Sequence, residues 1–244
     1  MAAKAAVVTG TSTGIGLAVA RALVAREWRV LGVARRVSPL EDPAYTHLRF
    51  DVASADRGPL AAAIANHVVG APRVALVNNA AAIGHLGTIR DLDAGELTRV
   101  LAVNAVAPVW LMNQVLGLAA SATVRIVNVS TGAATGAHPG LGAYSISKAA
   151  LRMAGMQFAA EWDAPESRES RPNDAAILSY EPGLVDTGMQ SEARNKSLRD
   201  FPWDMFRGFK RDNLLVPPER PAAEIVGFLE SGGQPSFSER RLRN

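Results

Sequence analysis

Short apolar runs of four to six residues alternate along the chain with longer segments of helical period. The runs are Ala5–Val8, Arg29–Val33, His47–Phe50, Val74–Val77, Val124–Val129 and Ala176–Tyr180. They lack a regular polar alternation, which is the pattern of strands covered on both faces, as in a parallel sheet. Between them, helical periodicity runs over about Ile15–Glu27, Pro59–His67, Leu97–Leu118, Ala143–Trp162 and Pro221–Glu230. Strand–helix alternation builds right-handed βαβ units. The expected architecture is therefore α/β, an open, doubly wound parallel sheet with helices on both faces.

Two stretches break the rhythm. Residues 164–174 (APESRESRPND) are polar and read as a surface loop between a helix and a strand. Residues 183–218 are charged and aromatic, with Phe201, Trp203, Phe206 and Phe209. An insert of that length in a compact domain is often a lid or binding loop, and a substrate lid is expected over about 184–216. No other boundary is visible, so residues 1–244 are expected to form a single domain.

Composition removes several chemistries. The chain has 244 residues, 48 % hydrophobic and 20 % charged, enough apolar surface for a large core. It has no cysteine, which excludes disulfides, thiolate metal sites and cysteine nucleophiles. No metal is expected. The net charge of +3 is too small to point to nucleic acid. No 18-residue run lacks charged, polar and glycine residues together, so no membrane span is expected. Lys4 already opens a strand-like run, which leaves no room for a signal peptide and gives a cytoplasmic expectation.

The first strand runs into Thr9-Gly10-Thr11-Ser12-Thr13-Gly14-Ile15-Gly16, followed by a helix rich in Ala, Val and Leu. Glycines between a strand and a helix allow close approach to a pyrophosphate, and the helix N-terminus offers it free N–H groups. Further along come Asp51-Val52, Asn78-Asn79-Ala80-Ala81, Asn104, Ser130, Tyr144-Ser145-Ile146-Ser147-Lys148, Pro182-Gly183, Val185 and Thr187. In this order and spacing the chain resembles the short-chain dehydrogenase/reductase family, over residues 7–187. Alanine at position 81 replaces the family's usual glycine.

The resemblance implies a Rossmann fold and an enzyme that binds a nicotinamide cofactor. The binding residues carried over are Gly10, Ser12, Thr13, Gly14, Ile15, Gly16, Asp51, Val52, Asn79, Ala80, Tyr144, Lys148, Pro182, Gly183, Val185 and Thr187. Tyr144 would be the general acid in carbonyl reduction and Ser130 would steady the substrate oxygen. Lys148 would hold the nicotinamide ribose, and Asn104 would anchor a water that relays protons to it. Tyr144 and Lys148 are four apart, so on a helix they share a face. A free tyrosine has a pKa of ~10, and a neighbouring ammonium, helped by a bound positively charged nicotinamide, is expected to lower it. Lowering it by three pH units would need about 4 kcal/mol.

The second strand ends in Val33-Ala34-Arg35-Arg36. An acidic residue at its end would bind the ribose hydroxyls of NAD and repel a 2′-phosphate. Here arginines follow instead, and arginine binds phosphate through charge-assisted, often bidentate bonds. NADP(H) is therefore expected, with Arg35 on the phosphate and Arg36 assisting. Residues 181–190 and the C-terminal part resemble sepiapterin and benzil reductases. In the stretch where sepiapterin reductases carry a pterin-gripping aspartate, this chain offers Ser236, which argues against a pterin, and the aromatic lid suits an aryl diketone or another bulky carbonyl. His138, Leu141 and Trp203 are candidate pocket walls.

Two alternatives remain. One is a 3-oxoacyl-thioester reductase, for which the basic lid residues Arg194, Lys196, Arg199, Arg207, Lys210 and Arg211 could dock an acidic carrier. The other is a non-catalytic NADP(H)-binding sensor. Helices 97–118 and 143–162 carry apolar residues on more than one face, and a homodimer or homotetramer is expected through the extra face.

Overall fold

All six apolar runs are strands, and a seventh strand joins them. In the computed structural model, which describes residues 3–164, 174–195 and 204–242, the strands are β1 (Ala5–Thr9), β2 (Arg29–Ala34), β3 (Tyr45–Arg49), β4 (Arg73–Asn78), β5 (Thr123–Val129), β6 (Asp174–Glu181) and β7 (Phe237–Arg241). They form one parallel sheet in the order β3-β2-β1-β4-β5-β6-β7. The strand order reverses between β1 and β4, where Val7 lies between Leu31 of β2 and Leu76 of β4. A crevice opens at such a point beyond the carboxyl ends of the strands.

The helices are α1 (Gly14–Val24), α2 (Gly58–Val68), α3 (Ala94–Leu101), α4 (Ala107–Leu118), α5 (Gly142–Asp163), α6 (Gly188–Asn195), α7 (Asp204–Arg211) and α8 (Glu219–Glu230). Alternate strand residues feed two cores, because successive side chains of a strand point to opposite faces. On one face Ala6, Val8, Val30, Val77, Val127 and Leu178 meet α1 and α8 through Val19, Leu23, Ile225 and Val226. On the other face Val7, Leu31, Leu76 and Ile126 meet α2, α4 and α5 through Ile64, Leu111, Val115 and Leu151. Each fully buried aliphatic side chain contributes about 1.5–3 kcal/mol of burial, so both faces are held without an exposed sheet surface.

The structure departs from the pattern in three places. The helix expected over Leu97–Leu118 starts earlier and is interrupted by a π-turn over Ala102–Val106 between α3 and α4. Helix α1 stops at Val24, and the chain reverses through Glu27 at φ +62°. The insert contains α6 and α7, and its ends are tied by a bridge between Val185 and Val216. The combined helical stretch Ala94–Leu118 is long and apolar enough to cross a membrane, with a mean hydropathy of 1.5. Here Leu111, Met112 and Val115 pack on the sheet, as a core helix does.

Candidate active site

The glycine turn sits at the mouth of the crevice and is shaped by its neighbours. Gly10 has φ +77° and Gly14 φ +60°, both in the left-handed region. A Cβ on Gly16 would collide with the Gly10 carbonyl and the Asn79 amide. Asn79 Nδ2 donates to the carbonyls of Thr9 (2.9 Å) and Gly10 (3.3 Å). Thr9 Oγ1 accepts from Asn79 N and Ala80 N, each at 3.0 Å. The turns after β1 and β4 are thus one unit, and Thr9, to which the motif assigned no role, is its latch. Thr13 makes no side-chain cap bond to α1, and the first turn of α1 carries no acid. Its leading N–H groups therefore remain open to an anion. Arg36 reaches back to this turn, with Nη2 at 3.4 Å from Ser12 Oγ and 3.5 Å from Thr13 Oγ1. Arg35 is exposed and its side chain has no partner among the described residues. Asp51 is exposed with its carboxylate on Ala53 N, Val52 is buried beneath it, and Gly183 has φ +69° beside the crevice. These features fit a dinucleotide.

Helix α5 carries Tyr144 and Lys148 on one face. Lys148 Nζ lies 5.8 Å from the centroid of the Tyr144 ring and donates to the Val129 carbonyl at 2.7 Å. Ser130 follows β5 directly, 7 % exposed, with its N–H donated to Tyr180 O. Neither the Ser130 hydroxyl nor the Tyr144 hydroxyl has a partner among the described residues. Asn104 lies in the π-turn, fully buried. Its Oδ1 accepts from Ala82 N (2.8 Å), and its Nδ2 donates to Ala82 O (2.8 Å) and Ser147 Oγ (2.9 Å). Ser147 Oγ in turn donates to the Tyr144 carbonyl at 2.8 Å. Both amide protons of Asn104 are therefore engaged in tying the loop after β4 to the helix that carries Tyr144.

The expected sign of the Tyr144 shift is corrected here. Burial pushes the phenol up to about 12 and the Lys148 ammonium down to about 8. Desolvation penalises both charged forms, and Lys148 directs its proton at a carbonyl rather than at the phenol. Burial thus favours the neutral form of both groups.

Apolar walls surround the phenol. Tyr144 packs on a buried cluster of Ile83, Leu86, Leu141, Ala193 and Phe206, which Met189 and Phe209 also flank. Leu141 belongs to this cluster, and Phe206 and Phe209 arrive from α7. Met189, Ile83 and Leu86 had no motif to mark them. His138 is exposed on the loop before α5, and Trp203 lies outside the described residues, as do Phe201, Lys196 and Arg199. Ser236 is corrected: it precedes β7 at the amino end of the sheet and donates to Asp163 Oδ1 at 2.6 Å. In a parallel sheet that end is remote from the crevice, so Ser236 carries no information on substrate. Of the basic residues of the insert, Arg194 and Lys210 face Asp186, and Arg211 faces Asp212.

Residues 4–198 match the short chain dehydrogenase family. The chain belongs to that family. It is 27 % identical over 240 residues to a benzil reductase ((S)-benzoin forming) of Bacillus cereus, covering 92 % of this chain and 93 % of that one. It is 30 % identical over 166 residues to the sepiapterin reductase of Mus musculus, covering 66 % and 60 %. The crystal structure of the KRED1-Pglu enzyme superposes with a TM-score of 0.79 at 25 % identity, covering 96 % of this chain and 100 % of that one. The protein is an oxidoreductase of the short-chain type, with the nicotinamide-cofactor crevice that the family shares.

Proposed function

We propose that the protein is an NADPH-dependent reductase of bulky ketones or diketones. The observation that carries this reading is the half-buried Tyr144 phenol packed on an apolar and aromatic cluster, with the buried Lys148 ammonium 5.8 Å from its ring. An aryl carbonyl matches such walls, and the similarity to a benzil reductase over nearly the whole chain supports it. The acidic-carrier alternative is disfavoured because Arg194, Lys210 and Arg211 face lid carboxylates.

The dinucleotide would lie along Gly10–Gly16, Asp51, Val52, Asn79, Ala80 and the segment Pro182–Thr187, with Arg36, Arg35 and the Ser12 and Thr13 hydroxyls around a 2′-phosphate. When bound, the cofactor supplies the hydride. The chain's part is positional and electrostatic. Ser130 donates to the carbonyl oxygen and Tyr144 gives it a proton. Lys148 stabilises the phenolate left behind. Asn104 holds the loop and helix in register. Leu141, Met189, Phe206 and Phe209 exclude water from the oxygen. A cytoplasmic homodimer or homotetramer is part of this reading, and the exposed Val106, Ile146 and Met153 on the π-turn and α5 offer an apolar contact.

The test is cofactor consumption with benzil, sepiapterin and an acetoacetyl thioester, each with NADPH and NADH. Turnover of benzil with NADPH is expected to be fastest. Turnover of the thioester alone would replace the reading with the acyl-carrier one, and tight NADPH binding without any turnover would make the protein a sensor.

The pH dependence has a defined sign. Below about 8 Lys148 is charged and stabilises the Tyr144 phenolate as it forms; above that value the charge is lost. Reductive kcat is therefore expected to be level up to about pH 7 and to fall as pH rises through 8. The reverse oxidation needs the phenolate beside a charged Lys148, so its rate is expected to rise with pH up to about 8 and then level. A reductive rate that increases between pH 8 and 10 would contradict this assignment.

A further inference from the structure

Strand β3 lies at the edge of the sheet, yet Arg49 and His47 bond the backbone of the segment that presents Arg35 and Arg36, and Tyr45 backs His47. We propose that Tyr45, His47 and Arg49, alternate residues on one face of β3, are positioning residues that fix this segment for recognition of a 2′-phosphate. The proposal rests on the NADP(H) reading above and assigns its selectivity to residues that would not themselves touch the cofactor.

Each carbonyl from Val33 to Arg36 has its own donor. Gly10 N donates to Val33 O at 2.7 Å and Phe50 N to Ala34 O at 3.0 Å. These two are backbone bonds that many sequences could make. The next two are made by side chains. Arg49 Nε donates to Arg35 O at 3.0 Å, and His47 Nε2 donates to Arg36 O at 3.1 Å. Ser38 Oγ closes the segment by donating to Thr11 O at 3.0 Å.

The His47 bond fixes one ring proton. A carbonyl only accepts, so Nε2 carries a proton toward Arg36 O. The Tyr45 hydroxyl donates to the buried Thr11 hydroxyl at 2.9 Å and lies 2.9 Å from His47 Nδ1. A chain of polar contacts thus runs from the glycine turn through Tyr45 and His47 to the Arg36 backbone. The Tyr45 ring covers Gly32 so closely that a Cβ there would overlap it. The space Gly32 leaves empty in β2 is what lets the phenol reach Thr11.

The effect is to hold the Arg36 backbone still while its guanidinium stays available. The contacts of Arg36 to Ser12 and Thr13 are long, at 3.4 and 3.5 Å, and neither partner is charged. An arginine whose backbone is pre-placed loses less freedom when it closes on a phosphate. If the β3 residues merely finished a sheet edge, their loss would affect every nucleotide alike. A positioning role makes the loss specific to the phosphorylated one.

The experiment uses the full chain with His47→Ala, His47→Gln, Arg36→Ala and the His47→Ala/Arg36→Ala pair, measuring KM and kcat for NADPH and NADH. His47→Ala is expected to raise KM for NADPH about three- to tenfold, the worth of one hydrogen bond. Its kcat and its KM for NADH should not change, as for loss of uniform binding. His47→Gln keeps a donor on a side chain of similar reach and should recover most of the loss. In the Arg36→Ala background, His47→Ala should add nothing. Equal rises for both cofactors, or undiminished additivity with Arg36→Ala, would overturn the proposal. If Arg36→Ala weakens NADPH while His47→Ala is silent, positioning fails and the cofactor reading stands. A wild-type protein indifferent to the 2′-phosphate overturns both. Should His47→Ala fold poorly, Tyr45→Phe keeps the ring over Gly32, removes only the hydroxyl, and should show the same NADPH-specific loss.

Discussion

Tyr144→Phe is expected to lower kcat for carbonyl reduction by about a hundred- to ten-thousandfold, the range for a positioned general acid. The substitution removes one oxygen and leaves the ring against Leu141, Met189 and Phe206, so the apolar wall survives. The hydroxyl has no partner among the described residues, and deleting it breaks no bond that holds the fold. Affinity for NADPH, followed by quenching of protein fluorescence, should therefore stay within about twofold of wild type. The contrast is the diagnostic: lost turnover with retained binding places Tyr144 in the chemical step. A variant that keeps more than a tenth of wild-type kcat would mean that the proton comes from elsewhere.

The second large effect lies at the opposite end of the sheet. Arg125 is fully buried in β5, with Nη2 2.8 Å from an Asp174 carboxylate oxygen. Its other donors go to the carbonyls of Val124, Asp174 and Ser231. Arg73 stands beside it and donates to the carbonyls of Leu229 and Ser231 at the end of α8. Two guanidinium groups thus gather the start of β6 and the exit from α8, with Asp174 as a shared counter-charge. Asp174→Ala leaves the buried Arg125 guanidinium without its carboxylate, but the Asp174 side chain is 40 % exposed and solvent screens part of the pair, so the cost is about 1–3 kcal/mol, below that of a fully buried pair. For a chain of this size each kcal/mol moves Tm by about 2–4 °C, so a fall of roughly five degrees is expected in a thermal melt, with Asp174→Asn intermediate. A change under about 1 kcal/mol would show that the carbonyls alone satisfy Arg125. The pair also weakens in acid. The Arg125 hydrogen bond holds the Asp174 carboxyl below the usual carboxylate range. Its contribution is complete above the ordinary pKa of about 4 and is lost as pH falls through the depressed value.

Elements whose signal is local were legible along the chain. Runs such as Val74–Val77 are strands because four consecutive apolar residues can bury both faces only inside a parallel sheet. The glycine turn was legible because strand, glycines and helix follow one another within a dozen residues. Tyr144 and Lys148 were legible because spacing of four on a helix brings them together without long-range information. Strand β7 was not. Its sequence FSERR has no apolar run, and it is a strand because β6 offers an open edge for Ile177 to pair with Phe237. The partly polar β3 was read two residues late for a similar reason, since its inward face is lined by Tyr45 and His47 rather than by aliphatic residues.

By itself, then, the chain's order of residues determined the parallel α/β architecture, the nucleotide turn, the paired tyrosine and lysine, and the family. Only the folded arrangement decided that burial pushes the phenol up and the ammonium down, because the cluster under Tyr144 draws Ala193 and Phe206 from α6 and α7, distant in sequence. Only it decided that Arg36 rather than Arg35 reaches the glycine turn, and that Ser236 sits far from the crevice. Strand direction and neighbour placement set those outcomes, and neither is encoded in any local spacing.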